Sequence, residues 1–376
     1  MQVYQPDTLL LVTRSGILRH TLPIAILKEC ATVNQDLKAI VLHMPELAEY
    51  IYACLKGMES QLLLKYTKSG TTVENVNFDE FQRVLLPIAP LHEARRIIAA
   101  TNDATQVVTA IENDKVALAE YVAKTKDKIL DLAIHGQLVP QDSADEPAYV
   151  LLERIRAEKK ELVKQGIIKQ DKRESGIFLG EDNSYYLQTG NLIESLSDWG
   201  FDDLPDSWAI CCLGEICDYG NCINVETDSI DDDAWMLDLE DIEKDTGKVL
   251  VRVKKRDRNA ASTKHQFHAG QVLYSKLRPY LNKVVLADQD GFCTSEILPL
   301  EFECIVVPEY ARYYLMSPAF LRYANHCSYG VKMPRLGTAD GKKAIVPLPP
   351  YKEQERIVKA VHKTFALLDS IAESLS

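Results

Sequence analysis

The sequence predicts an α+β protein in which two globular regions are separated by long helices that pair antiparallel. Three observations predict it: a proline hinge written twice, a helical seam too long for an ordinary core, and a region of short strands broken by turn residues.

The hinge reads Leu86-Pro87-Ile88-Ala89-Pro90-Leu91-His92-Glu93-Ala94-Arg95-Arg96-Ile97-Ile98. It recurs 260 residues later as Val346-Pro347-Leu348-Pro349-Pro350-Tyr351-Lys352-Glu353-Gln354-Glu355-Arg356-Ile357-Val358. Its prolines hold an extended segment out of helix, and the apolar-periodic stretch after the last proline starts one, so each copy predicts a strand-to-helix corner. Upstream, Lys68-Ser69-Gly70 precedes Ser328-Tyr329-Gly330 by 260 residues, whereas Pro45 to Tyr50 precedes Pro308 to Tyr313 by 263. A three-residue insertion or deletion between those two stretches is expected. Leu9 to Arg14 then falls about where Val272 to Lys276 falls in the second copy. The second copy has about 65 more residues upstream of Gly270, starting at Leu204-Pro205-Asp206-Ser207-Trp208, and the first has nothing to match them. The first copy is therefore short at its N-terminal side.

Between Pro90 and His135, steps of four and three pick out Ile97, Thr101, Ala104, Val108, Ile111, Lys115, Leu118, Val122, Thr125, Ile129 and Leu132. Gly136 stands at the expected stop. At 1.5 Å per residue such a helix runs roughly 68 Å, so its seam needs a partner helix. The C-terminal stretch offers one, with Val358, Val361, Phe365, Leu368, Ala372 and Leu375 on the same spacing. After Leu138-Val139-Pro140 a further helix is expected, with Asp145 as N-cap, Pro147 in the first turn, Leu151, Ile155 and Leu162 at helical spacing and Gly166 as the stop, followed by a polar linker at 169–175. From 204 to 349, runs such as Val249-Leu250-Val251, Val284-Val285-Leu286 and Ile305-Val306-Val307 suggest short strands, and Tyr310 to Tyr323 a helix interrupted at Ser317-Pro318. The resulting division is a partial first globule at 1–89, a helical spacer at 90–175, a second globule at 176–349 and a closing helix at 350–376.

A chain of 376 residues that is 46% hydrophobic can bury a core. It shows no charged leader followed by an apolar run and no uninterrupted apolar stretch of membrane-spanning length, so neither export nor a membrane span is expected and the cytoplasm is the expected compartment. Nine cysteines without a C-x-x-C pair fit a reducing compartment. Cys211, Cys212, Cys217 and Cys222 miss zinc-knuckle spacing, with His265 and His268 far away, and read as buried small hydrophobes.

The net charge of −12 is unevenly spread. From Glu181 to Asp245 there are nineteen acids and one base, Lys244; from Lys248 to Lys283 there are ten bases and one acid, Asp257. The acidic block reads as a solvated face. In the basic block Tyr274, Pro279, Tyr280 and Asn282 interleave with Lys276, Arg278 and Lys283, a mixture suited to a phosphate backbone and base edges.

No catalytic constellation is present. His92-Glu93-Ala94 begins like H-E-x-x-H, but Arg96 holds the second histidine's place. Leu348-Pro349-Pro350-Tyr351 imitates the Asn/Asp-Pro-Pro-Tyr loop of amino-methyltransferases with a leucine that accepts no hydrogen bond. Neither a phosphate loop nor G-x-G-x-x-G occurs. The chain is not expected to be an enzyme, and no cofactor is expected.

Leu204-Pro205-Asp206-Ser207-Trp208 with Leu213-Gly214-Glu215-Ile216, the stretch Leu273 to Val284, the closing Pro-Pro-x-x-Glu-Gln-x-Arg-Ile-Val hinge, and Gly136 to Gln141 with Glu146-Pro147-Ala148 together resemble the specificity subunit of type I restriction-modification systems. The resemblance implies two target recognition domains, the first partial here, held apart by antiparallel coiled-coil helices. Each domain would read half of a bipartite site on double-stranded DNA. It implies methyltransferase subunits acting on adenine N6 and an ATP-driven endonuclease/translocase subunit as partners, which would carry those activities. A helix pair overlapping over some 26 residues spans about 40 Å, close to one turn of B-DNA, and could act as a ruler.

The residues expected to contact DNA are Lys276, Arg278, Tyr280, Asn282 and Lys283, the Tyr329, Lys332 and Arg335 loop, and Arg14, Arg19 and Lys68 in the first copy. Competing readings are an inactive truncated specificity subunit, a helical assembly protein without DNA affinity, and a fragment of a self-contained restriction enzyme, which would need motifs not found here. Self-association of two chains into a complete reader is a further possibility.

Overall fold

The computed structural model describes residues 2–68, 73–166, 175–182, 184–201, 203–258 and 262–374, which fold as two compact units meeting at Val116 and Ala117 within one helix. The first unit contains β1 (Leu9–Val12), β2 (Arg14–Ser15), β3 (Ile24–Ile26), β4 (Leu37–Ile40), α1 (Ala48–Gly57), α2 (Glu59–Tyr66), β5 (Thr67–Lys68), β6 (Glu74–Val76) and α3 (Phe78–Phe81), and the start of α4 (Leu91–Ile134). Strand β1 is central in an antiparallel sheet ordered β3-β1-β4, and β2-β6-β5 form a second small sheet. Leu9, Leu11, Leu18, Tyr50, Ile51, Leu55 and Phe81 make the core between sheet and helices.

The second unit continues with α5 (Ala148–Lys164), β7 (Ser175–Leu179), β8 (Tyr185–Thr189), β9 (Leu192–Ser195), β10 (Ala209–Cys212), α6 (Leu213–Ile216), β11 (Ile223–Val225), β12 (Trp235–Leu237), β13 (Val253–Lys254), β14 (Lys264–Phe267), β15 (Val272–Ser275), β16 (Val284–Leu286), β17 (Gly291–Thr294), β18 (Ile297–Leu300), α7 (Pro308–Met316), α8 (Pro318–Cys327), α9 (Thr338–Lys342), β19 (Ile345–Leu348) and α10 (Tyr351–Glu373). Its sheets are β7-β8-β9, β10-β19, β11-β14-β17-β12-β13 and β16-β15-β18. The protein is α+β, as its sequence predicts.

The duplication is structural. Strand β15 sits between β16 and β18 as β1 sits between β3 and β4. Tyr50 Oη donates to the Pro87 carbonyl at 3.0 Å, and Tyr310 Oη, 260 residues on, to the Pro347 carbonyl at 2.6 Å. These bonds align α1 with α7 at an offset of 260, so the three-residue difference does not fall between helix and hinge. Val272 corresponds to Leu9 at 263, whereas Leu286 and Leu300 correspond to Ile26 and Ile40 at 260. The length change therefore lies between β1 and β3, in the loop at 13–23 that matches 276–283.

The upstream part of the second copy explains a difference at the hinge. There β19 pairs with β10, Val346 opposite Cys211 and Pro347 opposite Ile210, and its strand is buried. In the first copy no strand forms at 85–90, and Leu85 and Ile88 are exposed. The same extended letters become a strand only where a second strand supplies hydrogen-bond partners.

Several expectations change. Val249-Leu250-Val251 is irregular with Leu250 and Val251 exposed, and Ile305-Val306-Val307 is a buried turn leading into α7. The three-stranded β7-β8-β9 sheet was not foreseen; its Tyr, Leu, Ile and Phe alternation was overshadowed by the acidic block. Ser317 ends α7 and caps α8, its Oγ accepting from the Phe320 N–H. Most of the expected linker lies outside the described residues, although Ser175 opens β7. Asp145 caps nothing: α5 begins after Pro147, and the Asp145 carboxylate meets Arg356 at 2.6 Å.

Within the second unit α10 runs antiparallel to the chain it packs against. Lys126 meets Asp369 at 2.5 Å, Gln141 meets Glu353 at 2.6 Å, and Asp145 meets Arg356. Ile129, Leu130, Ala133 and Ile134 of α4 share a core with Ile357 and Val361, flanked by Phe365 and Leu368. Part of α10 lies against 141–145, so the helix-on-helix overlap is shorter than the 40 Å expected from sequence. From Ala99 to Ala117 every α4 side chain is exposed, including the expected seam at Ala104, Val108 and Ile111.

Glu353 is fully buried at the start of α10 and accepts from Gln141 Nε2 at 2.6 Å and from Trp208 Nε1 at 3.1 Å. Burial pushes its carboxyl up, and the Gln141 and Trp208 donors and nearby Arg356 oppose that rise. Gly136, at φ 68°, ends α4; a Cβ there would meet Pro205 Cγ at 2.5 Å, so this turn accommodates only glycine. One polar cluster thus ties the spacer loop, the entry to the second globule and the closing helix together.

Candidate nucleic-acid interface

The basic block divides when its partners are known. Lys254 and Arg256 meet Asp233 at 2.8 and 2.5 Å, Lys255 meets Asp232 at 3.1 Å, and Arg252 meets Asp288 at 2.5 Å. Arg258 forks onto Asp241 at 2.7 Å and pairs with Asp238. The acidic block, expected to be a solvated face, neutralises the first part of the basic block. Among the described residues no carboxylate forms an ion pair with Lys276 or Arg278, which follow it, or with Lys332.

These cations stand on a braced corner. The Leu336 N–H donates to the Lys276 carbonyl at 3.0 Å and the Arg278 N–H to the Pro334 carbonyl at 2.7 Å. Tyr329 and Arg335 exchange backbone hydrogen bonds at 3.1 and 2.9 Å, closing a hairpin at 329–335. Arg335 Nε and Nη2 grip Glu296 at 2.8 to 3.2 Å, and that hydrogen bonding holds the Glu296 carboxyl below its ordinary value. Arg335 is therefore committed to bracing the hairpin. Arg278 adopts φ 50°, ψ 64° and Asn282 φ 48°, ψ 53°, a left-handed pair flanking Pro279 to Leu281. Such conformations cost on the order of 1–3 kcal/mol and persist where the surroundings enforce them.

The expected contact residues therefore separate. Tyr280, Tyr329 and Lys332 are exposed, and Lys276 and Arg278 are half-buried beside them. Asn282 is buried, its Nδ2 donating to the Met316 carbonyl at 3.1 Å, and Lys283 Nζ donates to the Leu239 carbonyl at 2.6 Å. Both support the turn from inside. Asn and Lys beside Arg and Tyr look alike in sequence, and only their acceptors reveal which face inward. Val331 and Met333, at the same tip, carried no charge or aromatic signal and were missed.

The first unit repeats the brace. The Val76 N–H donates to the Thr13 carbonyl at 2.8 Å, matching Leu336 to Lys276, and the Thr13 N–H to the Asp36 carbonyl at 2.8 Å, matching Lys276 to Glu296. Arg14 and Lys68 each lie opposite Asn75 in the β2-β6-β5 sheet, one on either side. Arg19 is ion-paired with Glu74 at 2.7 Å. Ser69 and Gly70 lie outside the described residues.

Glu59 anchors this loop, accepting from Thr21 Oγ1 at 2.6 Å, from the Leu22 N–H and from Lys56 Nζ at 2.8 Å. Burial alone would raise its carboxyl, but the three donors together outweigh that and hold it at about 2. Its contribution is complete above pH 4.5, the ordinary value, and lost as pH falls through about 2. Hydrogen-exchange protection at 13–23, taken relative to the intrinsic rate at each pH, is expected to fall across that window in the native chain. In Glu59→Gln it is expected to be already low at neutral pH; protection that ignores both changes contradicts the anchor.

The cysteines near the closing strand are poor nucleophiles. Burial pushes the Cys211 thiol well up and the Cys212 thiol to about 12. Among the described residues no cluster of His, Cys, Asp and Glu could hold a metal ion, and no helix is long and apolar enough to cross a membrane.

Comparison with known proteins agrees with this architecture. Residues 205–375 match the family described as Type I restriction modification DNA specificity domain. The Type I restriction enzyme EcoDI specificity subunit of Escherichia coli is 25% identical over 193 residues, 51% of this chain and 43% of that protein. The EcoAI specificity subunit of the same organism is 28% identical over 263 residues, 67% of this chain and 41% of that protein. The chain thus spans less than half the length of these curated relatives. A solved structure from work on complex assembly and conformational transition of the type I R-M system aligns over 100% of this chain and 78% of its own, with a TM-score of 0.53 and 14% identity, a likeness of fold. Residues 205–375 thus match a type I restriction-modification DNA specificity domain, and the chain is similar to the specificity subunits of type I restriction enzymes.

Proposed function

We propose that the chain is a non-catalytic DNA reader that directs partner subunits to a bipartite site on double-stranded DNA. Methyltransferase subunits modifying adenine and an endonuclease/translocase subunit are the partners, and the cytoplasm is its compartment. The carrying observation is the corner at 276–280 and 329–335: three cations without carboxylate partners beside exposed tyrosines, on a brace built twice. Arg278 is the base-reading candidate, because guanidinium can bond two guanine acceptors at once. Lys276 and Lys332 neutralise phosphate, and Tyr280 and Tyr329 flank the path. Asn282, Lys283 and Arg335 position this edge. In the first unit Arg14 and Lys68 form the corresponding edge, with Arg19 held by Glu74. The recognition domains in this reading are 1–89 and 176–349, with 90–175 and 350–376 as spacer.

The test is selection from a random duplex pool by the chain co-purified with a methyltransferase subunit, followed by a salt titration. A two-part enriched site and a log affinity falling with log salt by about 0.9 per phosphate contact are expected, with Lys332→Ala reducing the slope by about one contact. Salt-insensitive association without DNA retention would favour an assembly role for the exposed α4 stripe. A one-sided site would mean that the first unit does not read.

A further inference from the structure

We infer that the tip of the 329–335 hairpin is an apolar base-contacting finger, Val331 flanked by Tyr329 and Met333, whose preferred contact is a thymine methyl group in the major groove. This deepens the proposed DNA-reading function and rests on it. Val331 is fully exposed, Tyr329 is 62% exposed and Met333 45%. Single exposed apolar side chains are ordinary on a protein surface, but three within five residues on one projecting turn form a patch that requires an occupant.

The stem is stiff where the tip is bare. It is closed by the Tyr329 and Arg335 backbone pair, locked from the side by the Arg335 fork on Glu296, and tied to the next turn through Arg278 and Lys276. Gly330 takes φ 98°, where a Cβ would meet the Met333 carbonyl oxygen at 3.2 Å, so the turn can be this tight. A braced tip loses little freedom on binding. Lys332 sits within the tip and Arg278 is bonded to its stem at Pro334, and neither forms an ion pair with a carboxylate among the described residues, which selects a polyanion over an apolar protein groove. On duplex DNA the cations would face the phosphates, and the apolar tip would meet the thymine methyl, the one apolar group displayed on the major-groove edge of the bases.

The two copies support a specificity role. Two backbone bonds of the brace recur, Val76 to Thr13 as Leu336 to Lys276 and Thr13 to Asp36 as Lys276 to Glu296, yet in sequence Val331-Lys332-Met333 corresponds at the 260-residue offset to Thr71-Thr72-Val73. Shared backbone bonds with different residues in the intervening sequence are what readers of two different half-sites require.

The test compares the full chain with Val331→Ser and Lys332→Ala on duplexes recovered from a random pool, each made with thymine or with deoxyuridine. The wild type is expected to lose about fourfold in affinity when one thymine becomes uracil, the worth of a buried methyl group. Val331→Ser is expected to bind the thymine duplex about as weakly and to ignore the uracil exchange, while Lys332→Ala changes the salt slope and keeps the thymine preference. DNA binding by Val331→Ser with unchanged affinity and unchanged recovered sequence would overturn the finger alone. No DNA binding by the wild type would overturn the reading beneath it as well.

Discussion

Arg278→Ala is expected to leave the fold intact and to relax base choice at one position by about 1 to 3 kcal/mol, roughly 5- to 150-fold. The guanidinium has no carboxylate partner among the described residues, so its removal breaks no ion pair inside the protein. The left-handed backbone at φ 50° strains arginine and alanine alike, so the substitution adds little strain of its own. Arg278→Lys separates charge from geometry, since lysine keeps the positive charge but cannot form the planar two-bond contact with guanine. The lysine variant should therefore retain the salt slope and lose selectivity, whereas the alanine variant should lose selectivity and about one phosphate-equivalent of slope. Selection from random duplexes followed by salt titration measures both. Unaltered recovered sequences in both variants would remove Arg278 from the reading surface.

Glu353→Ala is expected to destabilise the second unit by about 2 to 4 kcal/mol, because the Trp208 Nε1–H and the Gln141 amide would be left buried without their acceptor. Glu353→Gln keeps the shape and one acceptor oxygen but turns its amide N–H toward one of the two donors, so it should lose about half as much. The internal control is Glu93→Ala at the same place in the first hinge. Glu93 is exposed, and its substitution should stay within about 0.5 kcal/mol. Thermal or urea unfolding followed by probes in each unit would show the second unit's transition moving while the first stays fixed. Equal effects at the two glutamates would mean that the buried acceptor contributes nothing beyond helix propensity.

These two glutamates show how much of the protein could be read from its letters. The hinges, the 44-residue helix α4, the α7 and α8 break at Ser317-Pro318 and the glycine stop at Gly136 depend on proline geometry, helical periodicity and turn chemistry within a few residues, so they were legible. The duplication was legible too, apart from the place of its length change, which short matching words set between α1 and the hinge and paired strands set between β1 and β3.

The site was only partly legible. Interleaved cations and aromatics single out Lys276, Arg278, Tyr280, Tyr329 and Lys332 as candidates, whereas nothing in the letters of Val331 and Met333 distinguishes a bare tip from a core strand. Sequence by itself determined where the chain turns, where it is helical and that it is built twice. Tertiary structure alone decided which charges are spent, for Arg258 on Asp241, Arg335 on Glu296 and Asp145 on Arg356 find partners 17, 39 and 211 residues away. The physical reason is that a side chain's charge is fixed by its type, whereas its availability depends on what the fold places within about 4 Å of it.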